Sequence, residues 1–512
     1  MFSVIWLLSL HFILGESARI LGIFPSPHLS HQIVFRPLMH ALAQRGHDVV
    51  VITTDPAFPN GGGPSTLKEV NIHNVTYPYW RELMQEASKD GTNDIFSQIN
   101  AGRFLVKNVF AKQVQSDEVQ NVLKSELKFD LILVEAYFRP ALGLAELYKC
   151  PIILISSFGT AYGNYEKFGA PTHALLYPNF LRQRLNNLTV FEELHELYTD
   201  RIFHEYVITD EIEYNSMNKA LFRNAPDLAE VDDNIQVLFI NTHPVWERIR
   251  PVPRNVVYIS GILDNHSRSL PRELQSSLDS SKNGVIYVSF GTSVSTKLMS
   301  PFIVQMFVNV FSKLPYEILW KWDDDVLPGI TDNIKIAKWW PQTEILKHPN
   351  VKLFITQGGL SSSFESISAG VPLVGVPMLF DQWYNVENYE YYGIGMKLDL
   401  TSLTEEKLGH AVETVLKDAS YRNNVIKLRS IIADQPWSAV DRAVWWTEYV
   451  LRHGGAKHLR APAANMSWTQ YYETELVLIV LGFILMLMYL LLRVIMYVLA
   501  LYRRVTRKFK LP

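Results

Sequence analysis

The chain has 512 residues, of which 48% are hydrophobic and 19% are charged. This length and apolar content predict two domains of roughly 230 residues, each with its own core. The 48 Lys and Arg residues nearly balance the 51 Asp and Glu residues, for a net charge of −3, which argues against nucleic acid as a partner.

The N-terminus has the pattern of an export signal. An apolar run from Val4 to Leu14 is followed by small residues through Ala18. The run is too short to cross a bilayer and predicts a signal peptide over residues 1–18, although no Lys or Arg precedes it. An uncleaved anchor is the alternative interpretation.

Passage through a lumenal compartment is compatible with four Asn-x-Ser/Thr tripeptides, which begin at Asn74, Asn187, Asn265 and Asn465. Such tripeptides also occur by chance, so the signal peptide is the stronger sign of export. Cys150 is the single cysteine, and no disulfide can therefore form within the chain.

A β-α-β pattern follows the signal peptide. Residues 19–24 are expected to form a buried strand, residues 31–46 an apolar-striped helix closed by Gly46, and residues 47–54 a second strand. Pro37 either begins the regular helix or kinks it. This order of elements implies a parallel sheet.

Two more strands are predicted in the first half, at residues 129–137 and 150–158. From there to Asn241 the sequence is aromatic and irregular, which suits a pocket but equally suits ordinary helical packing.

A second set of strands begins near Val256. We place the boundary between the two halves at residues 242–255 and predict two doubly wound α/β domains that face a cleft. The strands of the second set are expected at residues 256–261, 284–292, 316–322, 334–340, 351–357 and 371–378.

Within the second set, a glycine turn is predicted between a strand and a helix. Residues 351–356 form the expected strand, Gly358 and Gly359 the turn, and Gly370 ends a helix predicted over residues 361–369. Free N–H groups and the helix dipole at such a turn form an anion site, and glycine lets a phosphate approach the backbone.

The helix that follows this turn has two interpretations. Ser361 and Ser362 could add hydroxyl donors to the anion site. Alternatively, Ser362 and Glu365 form a capping box, Ser-x-x-Glu, with no ligand at all. Glycine turns are common in α/β folds, so the turn alone does not decide between them.

The C-terminal region predicts a membrane anchor. Leu476 to Tyr502 is apolar apart from Arg493 and is long enough to cross the roughly 30 Å hydrocarbon core, with a buried core helix as the alternative. The basic tail, residues 503–512, fits the cytoplasmic side of the positive-inside rule, which leaves the bulk of the chain lumenal. In this tail, Lys508 and Lys510 resemble a dilysine endoplasmic-reticulum retrieval signal, although a plain basic flank is an equal interpretation.

The block from Trp339 to Gln382, with "WWPQTEILKHP" at its start and "FDQ" at its end, resembles the donor-binding signature of UDP-glycosyltransferases. The resemblance extends to residues 20–53, 285–294 and 434–460, and insect members are the most similar in texture. It implies an α/β GT-B fold, with two Rossmann-like domains facing a cleft and one C-terminal transmembrane helix.

The resemblance also implies how a UDP-sugar donor is held. Trp339 would lie under the uracil, Gln342 would contact the nucleoside, and Glu365 would accept from the ribose hydroxyls. Asp381 and Gln382 would hold the sugar hydroxyls. The positions that would surround the diphosphate are Thr292, Ser293, Gln357, Gly359, Ser361 and Ser362.

Structural alternatives stand beside these roles. Trp339 could belong to a core, as we expect of Trp340, and Asp381 with Gln382 could form an ordinary turn. Gln357 occupies a position where many family members carry His, so that a neutral donor replaces a group that can carry charge.

For the chemistry, the resemblance assigns His31 as the general base that takes the acceptor proton. Glu135, at the end of the strand "FDLILVEA", would orient this histidine, although many members carry Asp there; Asp130 is the alternative. A single attack implies inversion at the anomeric carbon without a metal. Three other histidines compete for the role of base: His28, His40 and His47.

The sequence therefore predicts a UDP-glycosyltransferase of the endoplasmic-reticulum membrane, single-pass and type I. It would transfer a sugar, expected to be glucose, to small lipophilic hydroxyl compounds, as in detoxification. UDP-glucuronic acid is the alternative donor, for which Arg250 could contact the sugar carboxylate or simply shape the linker. A homo-oligomer is left open.

Two rival hypotheses remain. A metal-dependent GT-A enzyme would use the acidic triplet Asp323–Asp325, and a catalytically silent member would only bind hydrophobic ligands. The leading hypothesis divides the chain into a signal peptide (1–18), an acceptor domain (19–245), a donor domain (246–460), a juxtamembrane segment (461–475), a transmembrane helix (476–502) and a tail (503–512).

Overall fold

A computed structural model describes residues 17–87, 95–125, 127–159, 163–222, 225–262, 269–292 and 299–508. Most of the predicted signal peptide, the tripeptide at Asn265, the predicted diphosphate contact Ser293 and the tail residue Lys510 lie outside these ranges.

The described chain contains thirteen strands. These are β1 (Arg19–Phe24), β2 (Asp48–Thr53), β3 (Leu67–Asn71), β4 (Leu131–Glu135), β5 (Ile152–Ser156), β6 (Ile235–Ile240), β7 (Val256–Tyr258), β8 (Val285–Ser289), β9 (Glu317–Lys321), β10 (Ile334–Ala337), β11 (Val351–Thr356), β12 (Leu373–Gly375) and β13 (Gly395–Lys397).

The α-helices of the described residues alternate with these strands. The first ten are α1 (Leu29–Gln44), α2 (His73–Ala87), α3 (Ile95–Val114), α4 (Asp117–Lys124), α5 (Ala141–Glu146), α6 (Asn164–Lys167), α7 (Val190–Leu221), α8 (Leu228–Val231), α9 (Arg272–Ser280) and α10 (Pro301–Phe311). The others are α11 (Gln342–Leu346), α12 (Leu360–Ala369), α13 (Gln382–Tyr391), α14 (Glu405–Lys417), α15 (Ala419–Ala433), α16 (Ala439–His453), α17 (Trp468–Tyr471) and α18 (Thr474–Lys508).

The first sheet has seven parallel strands in the order β3-β2-β1-β4-β5-β6-β7. Its central strands are apolar on both sides because helices cover both faces. In β1, Leu21 and Ile23 point into one core while Ile20 and Phe24 point into the other. The order reverses between β1 and β4, the switch point where a ligand crevice opens at the carboxyl ends of the strands.

The second sheet repeats this arrangement with six parallel strands in the order β10-β9-β8-β11-β12-β13. Ile286 and Val288 of β8 face one core, and Val285 and Tyr287 face the other. The switch point lies between β8 and β11, directly before the predicted glycine turn. Two doubly wound sheets, as predicted, thus carry two crevices.

One predicted strand is assigned to the wrong half. Residues 256–261 were expected to open the second set, but β7 pairs in parallel with β6 at the edge of the first sheet. The three residues of β7 are buried, and they cover the edge of β6 that would otherwise be exposed to solvent. The chain therefore crosses to the second sheet after Tyr258.

The helix α16 returns to the first half after the second sheet is complete. Ala443, Val444 and Val450 lie in the core that also contains α1 and one face of the first sheet. At the rim, Arg45 donates to Glu448 at 2.5 Å. The C-terminal end of the folded part thus supports the helix on which His31 lies.

The last helix, α18, has the properties predicted for a membrane anchor. Among the residues described, Thr474–Arg507 is the helix long and apolar enough to cross a membrane by length and composition, with a mean hydropathy of 2.7 over its most apolar window. None of that window is buried against the rest of the protein. Before it, the Asn465 amide donates to Asp233 at 2.8 Å, which attaches the preceding segment to the first half.

Candidate active site

The predicted glycine turn joins β11 to α12. Gly358 has a φ of 92° and Gly370, at the other end of the helix, a φ of 74°, both in the region that favours glycine. A Cβ on Gly358 would also lie 2.4 Å from the Val386 side chain. Gly359 is the N-cap of α12 and has no side chain to cap the helix. The Asp381 carboxylate accepts from the Leu360 N–H, and the other N–H groups of the first turn are left for the crevice.

The capping-box alternative is therefore wrong. Ser362 lies inside α12, and its hydroxyl accepts from the Gln342 amide at 3.0 Å. Glu365 accepts from the same amide at 2.5 Å and from the Thr343 hydroxyl at 3.0 Å. These bonds hold α11 against α12 and aim the Glu365 carboxylate at the cavity between them.

The two tryptophans before α11 differ in their surroundings. Trp339 is 61% exposed and lines the cavity, whereas the Trp340 indole donates to the Trp320 carbonyl at 3.2 Å and packs on the core. Trp340 is thus a packing residue, as expected, and Trp339 is not part of a core. An exposed aromatic face at the rim of a crevice can stack on a base.

Gln357 is buried at the end of β11, where its amide oxygen accepts from the Thr356 hydroxyl at 3.0 Å. A Cβ on Gly291 would lie 2.2 Å from the Gln357 amide nitrogen, and a Cβ on Gly359 would lie 3.2 Å from it. The amide nitrogen therefore occupies the space between two glycines, where it can donate to an anion on the helix N-terminus.

Asp381 is the N-cap of α13, and Gln382 is the first residue of that helix. Asp381 accepts from the Asn385 amide at 2.8 Å, and burial raises the pKa of its carboxyl to about 6. The Gln382 amide oxygen accepts from the Met378 and Leu379 N–H groups at 2.8 and 2.9 Å. The Gln382 oxygen therefore shapes the loop, which leaves its amide nitrogen to serve a ligand, and both residues line the cavity.

The first half contributes a histidine–carboxylate pair. The Nδ1 atom of His31, in the first turn of α1, lies 2.7 Å from Oε1 of Glu135, at the carboxyl end of β4. The other Glu135 oxygen accepts from the Ser26 N–H at 3.2 Å. A carboxylate can only accept, so Nδ1 carries the proton, and in the neutral ring this tautomer leaves the lone pair on Nε2.

Burial separates the roles of the two residues of this pair. The Glu135 side chain is 0% exposed and that of His31 is 18% exposed, so the carboxylate is covered and the imidazole reaches the cavity. Asp130, the alternative partner, accepts from the Arg19 N–H at 2.7 Å at the opposite end of β4.

Of the competing histidines, His28 lines the same cavity as His31, whereas His40 and His47 do not. Burial and the neighbouring His31 lower the pKa of His28 to about 3, and the His28 ring hydrogen-bonds the Ser26 hydroxyl at 3.1 Å. The His40 ring contacts the Gln44 amide at 3.3 Å on the outer side of α1. His47 accepts from the Ala18 N–H at 3.2 Å.

A single cavity of about 1300 Å³ joins the sites of the two halves. His31 lies on one side and Thr292, Gln357, Gly359 and Ser361 on the other. The aromatic wall of this cavity comes from separate segments with no common pattern: Trp80, Phe104, Tyr137, Phe158, Phe180, Phe203, Tyr206 and Phe380. Of these, Phe180, Phe203 and Tyr206 lie in the aromatic stretch for which a pocket was one of the two interpretations, and the others were not predicted.

The acidic triplet of the GT-A hypothesis is used in surface ion pairs. Asp323 pairs with Lys321, and Asp325 lies 2.7 Å from the Lys338 ammonium. The hypothesis is overturned by the fold, because two separate parallel sheets face one cleft here.

Arg250 is 9% exposed and lies in the segment between β6 and β7. Its guanidinium donates to the Tyr177 carbonyl at 2.8 Å and stacks over the Tyr165 ring at 3.9 Å. These contacts fit the expectation that Arg250 shapes the segment between the strands.

Two Rossmann-like sheets that share one cleft are the arrangement of the GT-B fold. Solved structures agree with this class: the spinosyn forosaminyltransferase SpnP superimposes with a TM-score of 0.58 at 16% identity, over 85% of this chain and 99% of that chain. UGT89C1 of Arabidopsis thaliana, complexed with UDP-L-rhamnose, gives 0.56 at 16% identity over 85% and 99%.

The family model described as UDP-glucoronosyl and UDP-glucosyl transferase matches residues 20–510, and the chain belongs to this family. The ecdysteroid UDP-glucosyltransferase of Spodoptera littoralis nuclear polyhedrosis virus is 36% identical, over 93% of this chain and 96% of the relative. UDP-glucosyltransferase 2 of Dactylopius coccus is 29% identical over 90% of both. Human UDP-glucuronosyltransferase 2B15 is 29% identical over 93% and 92%. The chain is thus a glycosyltransferase that uses a UDP-sugar donor.

Proposed function

We propose that this enzyme transfers glucose from UDP-glucose to a hydroxyl group of small lipophilic acceptors, with inversion at the anomeric carbon. The observation that carries the proposal is the His31–Glu135 pair, with Nδ1 and Oε1 2.7 Å apart, on the same cavity as Asp381 and the α12 N-terminus.

In the proposed reaction, Nε2 of His31 takes the acceptor proton as the acceptor oxygen attacks the anomeric carbon. A new carbon–oxygen bond forms while the bond to the diphosphate oxygen breaks, and UDP leaves from the opposite face. Glu135 stabilises the imidazolium and fixes its tautomer. The proton ends on His31 and passes to solvent when the products leave.

The donor is held by the second half. Trp339 stacks on the uracil, Gln342 contacts the nucleoside, and Glu365 accepts from the ribose hydroxyls. Asp381 and Gln382 hold the hydroxyl groups of the sugar. The charge that develops on the diphosphate is met by the α12 N-terminus and by its neighbouring donors, namely Thr292, Ser293, Gln357, Gly359, Ser361 and Ser362.

The acceptor binds against the aromatic wall of the first half. A cavity of about 1300 Å³ exceeds the roughly 300 to 1000 Å³ of ordinary ligand pockets, so it has room for both a nucleotide sugar and a lipophilic acceptor. Among the relatives, several viral enzymes are named ecdysteroid UDP-glucosyltransferases, which supports an acceptor of steroid size. Conjugation of such compounds would serve detoxification or hormone inactivation.

Glucose is favoured over glucuronic acid because of the position of Arg250. This cation is engaged by the Tyr177 carbonyl and the Tyr165 ring, and a glucuronate carboxylate would have to displace these contacts. The most similar relatives reported above are also glucosyltransferases.

The enzyme is proposed to be a single-pass, type I protein of the endoplasmic-reticulum membrane. The predicted signal peptide, the apolar helix Thr474–Arg507 and the basic residues after it support a lumenal active site and a cytoplasmic tail.

The proposal is tested with the full chain in microsomes. UDP-glucose, UDP-glucuronic acid and UDP-galactose are each offered with a phenol and an ecdysteroid, and the product mass and anomeric coupling constant are measured. We expect a β-glucoside. An α-glucoside would show that the configuration is retained and would overturn the proposed inversion. A glucuronide would show that UDP-glucuronic acid is the donor. Binding of UDP-glucose without turnover of any acceptor would favour the catalytically silent alternative.

A further inference from the structure

The residue before Asp381 joins the two halves of the enzyme. Phe380 belongs to the donor-side loop, yet its N–H donates to the amide oxygen of Gln98, at the start of α3, at 3.0 Å. The partners are 282 positions apart in sequence. Because the donor is the backbone N–H group of Phe380, this hydrogen bond fixes the path of the loop backbone and, with it, the direction of the Phe380 side chain.

The backbone of Phe380 is held in an unfavourable conformation. Its φ is 46°, in the left-handed region that an aromatic residue adopts only when its surroundings impose it. Of the seven non-glycine residues with positive φ that the structure describes, Phe380 is the one that lines the cavity.

The contacts that impose this conformation come from both halves. Gln382, the first residue of α13, accepts from the N–H groups of Met378 and Leu379. Gln98, in the other half, accepts from the next N–H group. Three successive N–H groups are thus satisfied by two glutamine side chains. Without Gln98, the partly buried N–H group of Phe380 would lose its acceptor, and the loop would be free to relax.

The side chain of Phe380 reaches the acceptor side of the cavity. The ring is 38% exposed and faces α3, where a Cβ on Gly102 would lie 3.9 Å from the ring edge. The absence of a side chain on Gly102 leaves room beside the ring. Phe380 therefore stands between the segment that lines the acceptor cavity and the loop that carries Asp381.

We propose that Phe380 is a specificity-determining residue for the acceptor, contributed by the donor half, and that Gln98 is the positioning residue that holds it. This inference rests on the proposed function, because it assigns the cavity beside α3 to the acceptor. The ring limits the size of acceptors that can approach His31, and the Gln98 contact keeps the ring and Asp381 in a fixed relation.

The size-limiting role is tested by binding to the full chain in nanodiscs, with empty discs as background. The probes are 4-methylumbelliferone, a small planar phenol, and ecdysone, a bulky steroid. We expect Phe380→Ala to weaken binding of the phenol about tenfold through lost ring contact, while ecdysone affinity is retained or rises. Phe302→Ala, which removes a 72% exposed ring of α10 away from the cavity, is the matched control and should change neither.

The positioning role is tested by two replacements of Gln98. Gln98→Leu keeps the size but loses the acceptor oxygen, whereas Gln98→Glu keeps an oxygen that can accept from the Phe380 N–H. We expect Gln98→Leu to raise KM for UDP-glucose about fivefold, which corresponds to the loss of one hydrogen bond. The same variant should shift the ratio of phenol affinity to ecdysone affinity in the same direction as Phe380→Ala. Gln98→Glu should restore the ratio.

The outcomes separate this inference from the proposed function. An unchanged affinity ratio in Phe380→Ala, or equal behaviour of the two Gln98 variants, would overturn the inference even if the wild type transfers glucose. If the wild type binds both probes and UDP but transfers nothing, the proposed function fails, while the ratio of binding affinities still decides the role of Phe380.

Discussion

The two halves of the enzyme build their sites in different ways. Most of the proposed donor site comes from one continuous stretch, β10 to the start of α13, to which the segment after β8 adds Thr292. Polar side chains of the stretch bind one another, as Gln342 binds Ser362 and Glu365. The proposed acceptor site comes from segments far apart. His31 and Glu135 are separated by 104 positions, and the ion pair of Arg103 and Asp210, which also lines the cavity, by 107.

This difference reflects the ligands. A nucleotide diphosphate has fixed polar groups, which need donors and acceptors at fixed places, and neighbouring elements of one α/β unit supply these directly. A lipophilic acceptor needs apolar contact area and one base, so its walls can be assembled from many helices. The donor half is thus specified locally, and the acceptor half by tertiary packing.

The strongest test of this contrast is His31→Ala. Loss of the base should lower kcat by about 1000-fold, while UDP-glucose affinity, set by the other half, stays within about twofold of the wild type. Single-turnover rates and calorimetric binding measure the two quantities. His40→Ala, on the outer side of α1, is the control and should behave as the wild type. Equal loss of turnover and donor affinity would contradict independent halves.

The second test, in the donor half, measures how Asp381 affects the free energy of unfolding as the pH changes. Its pKa of about 6 exceeds the value near 3.9 expected in the unfolded chain, so ionisation of Asp381 costs stability. The cost is absent below about pH 4 and complete above about pH 6. Asp381→Asn should therefore raise the free energy of unfolding at pH 7 by about 3 kcal/mol, and the gain should vanish toward pH 4 in unfolding experiments.

The same replacement should impair sugar recognition. In the wild type, affinity for UDP-glucose relative to UDP should fall as the pH drops below 6, because protonated Asp381 accepts fewer hydrogen bonds from the sugar. The terminal phosphate of UDP itself titrates at about pH 6, so the ratio in Asp381→Asn supplies the pH dependence of the ligands alone. The ratio should be lower in the variant than in the wild type above about pH 6, and equal pH dependence in the two proteins would exclude Asp381 as the titrating group.

A smaller effect is expected from Gln357→Ala. Removing one neutral donor from the diphosphate should raise KM for the UDP-sugar about fivefold to tenfold, at roughly 1 kcal/mol for the hydrogen bond, and leave the acceptor KM unchanged. Steady-state kinetics with each substrate varied in turn will show this. An effect confined to the acceptor KM would place Gln357 in the wrong half.

The smallest expected effect is that of a chelator. Since N–H groups and hydroxyls are proposed to meet the charge of the leaving diphosphate, saturating EDTA should leave the transfer rate unchanged. Loss of activity on EDTA treatment, restored by Mn²⁺ or Mg²⁺, would mean that a divalent metal ion stabilises the leaving diphosphate.

The sequence predicted the elements in which local pattern and burial agree. The strand at 351–356 is found at the predicted bounds because its apolar run meets a glycine turn. The edge strand β3, "LKEVN", was not predicted, since its side chains are mostly accessible and its composition is polar. The long helix α7 was also not identified, because it has apolar residues on more than one face.

The limits of sequence reasoning at the site are of the same kind. Trp339, Glu365 and Asp381 could be proposed from one motif because they share one structural unit. Gln98 and Phe380 could not, because nothing in either local sequence indicates a hydrogen bond across 282 positions. Contacts of this sort depend on how the two halves are docked.

The return of α16 to the first half means that the second half is an insertion with both of its ends on the first half. The chain leaves the first sheet after β7 and returns to the first half with α16, where Ala443 and Val450 pack in the core beside α1. A chimera that exchanges donor specificity therefore needs two junctions, one after Tyr258 and one before Ala439. A chimera with a single junction would pack a foreign helix against α1, the helix that contains His31.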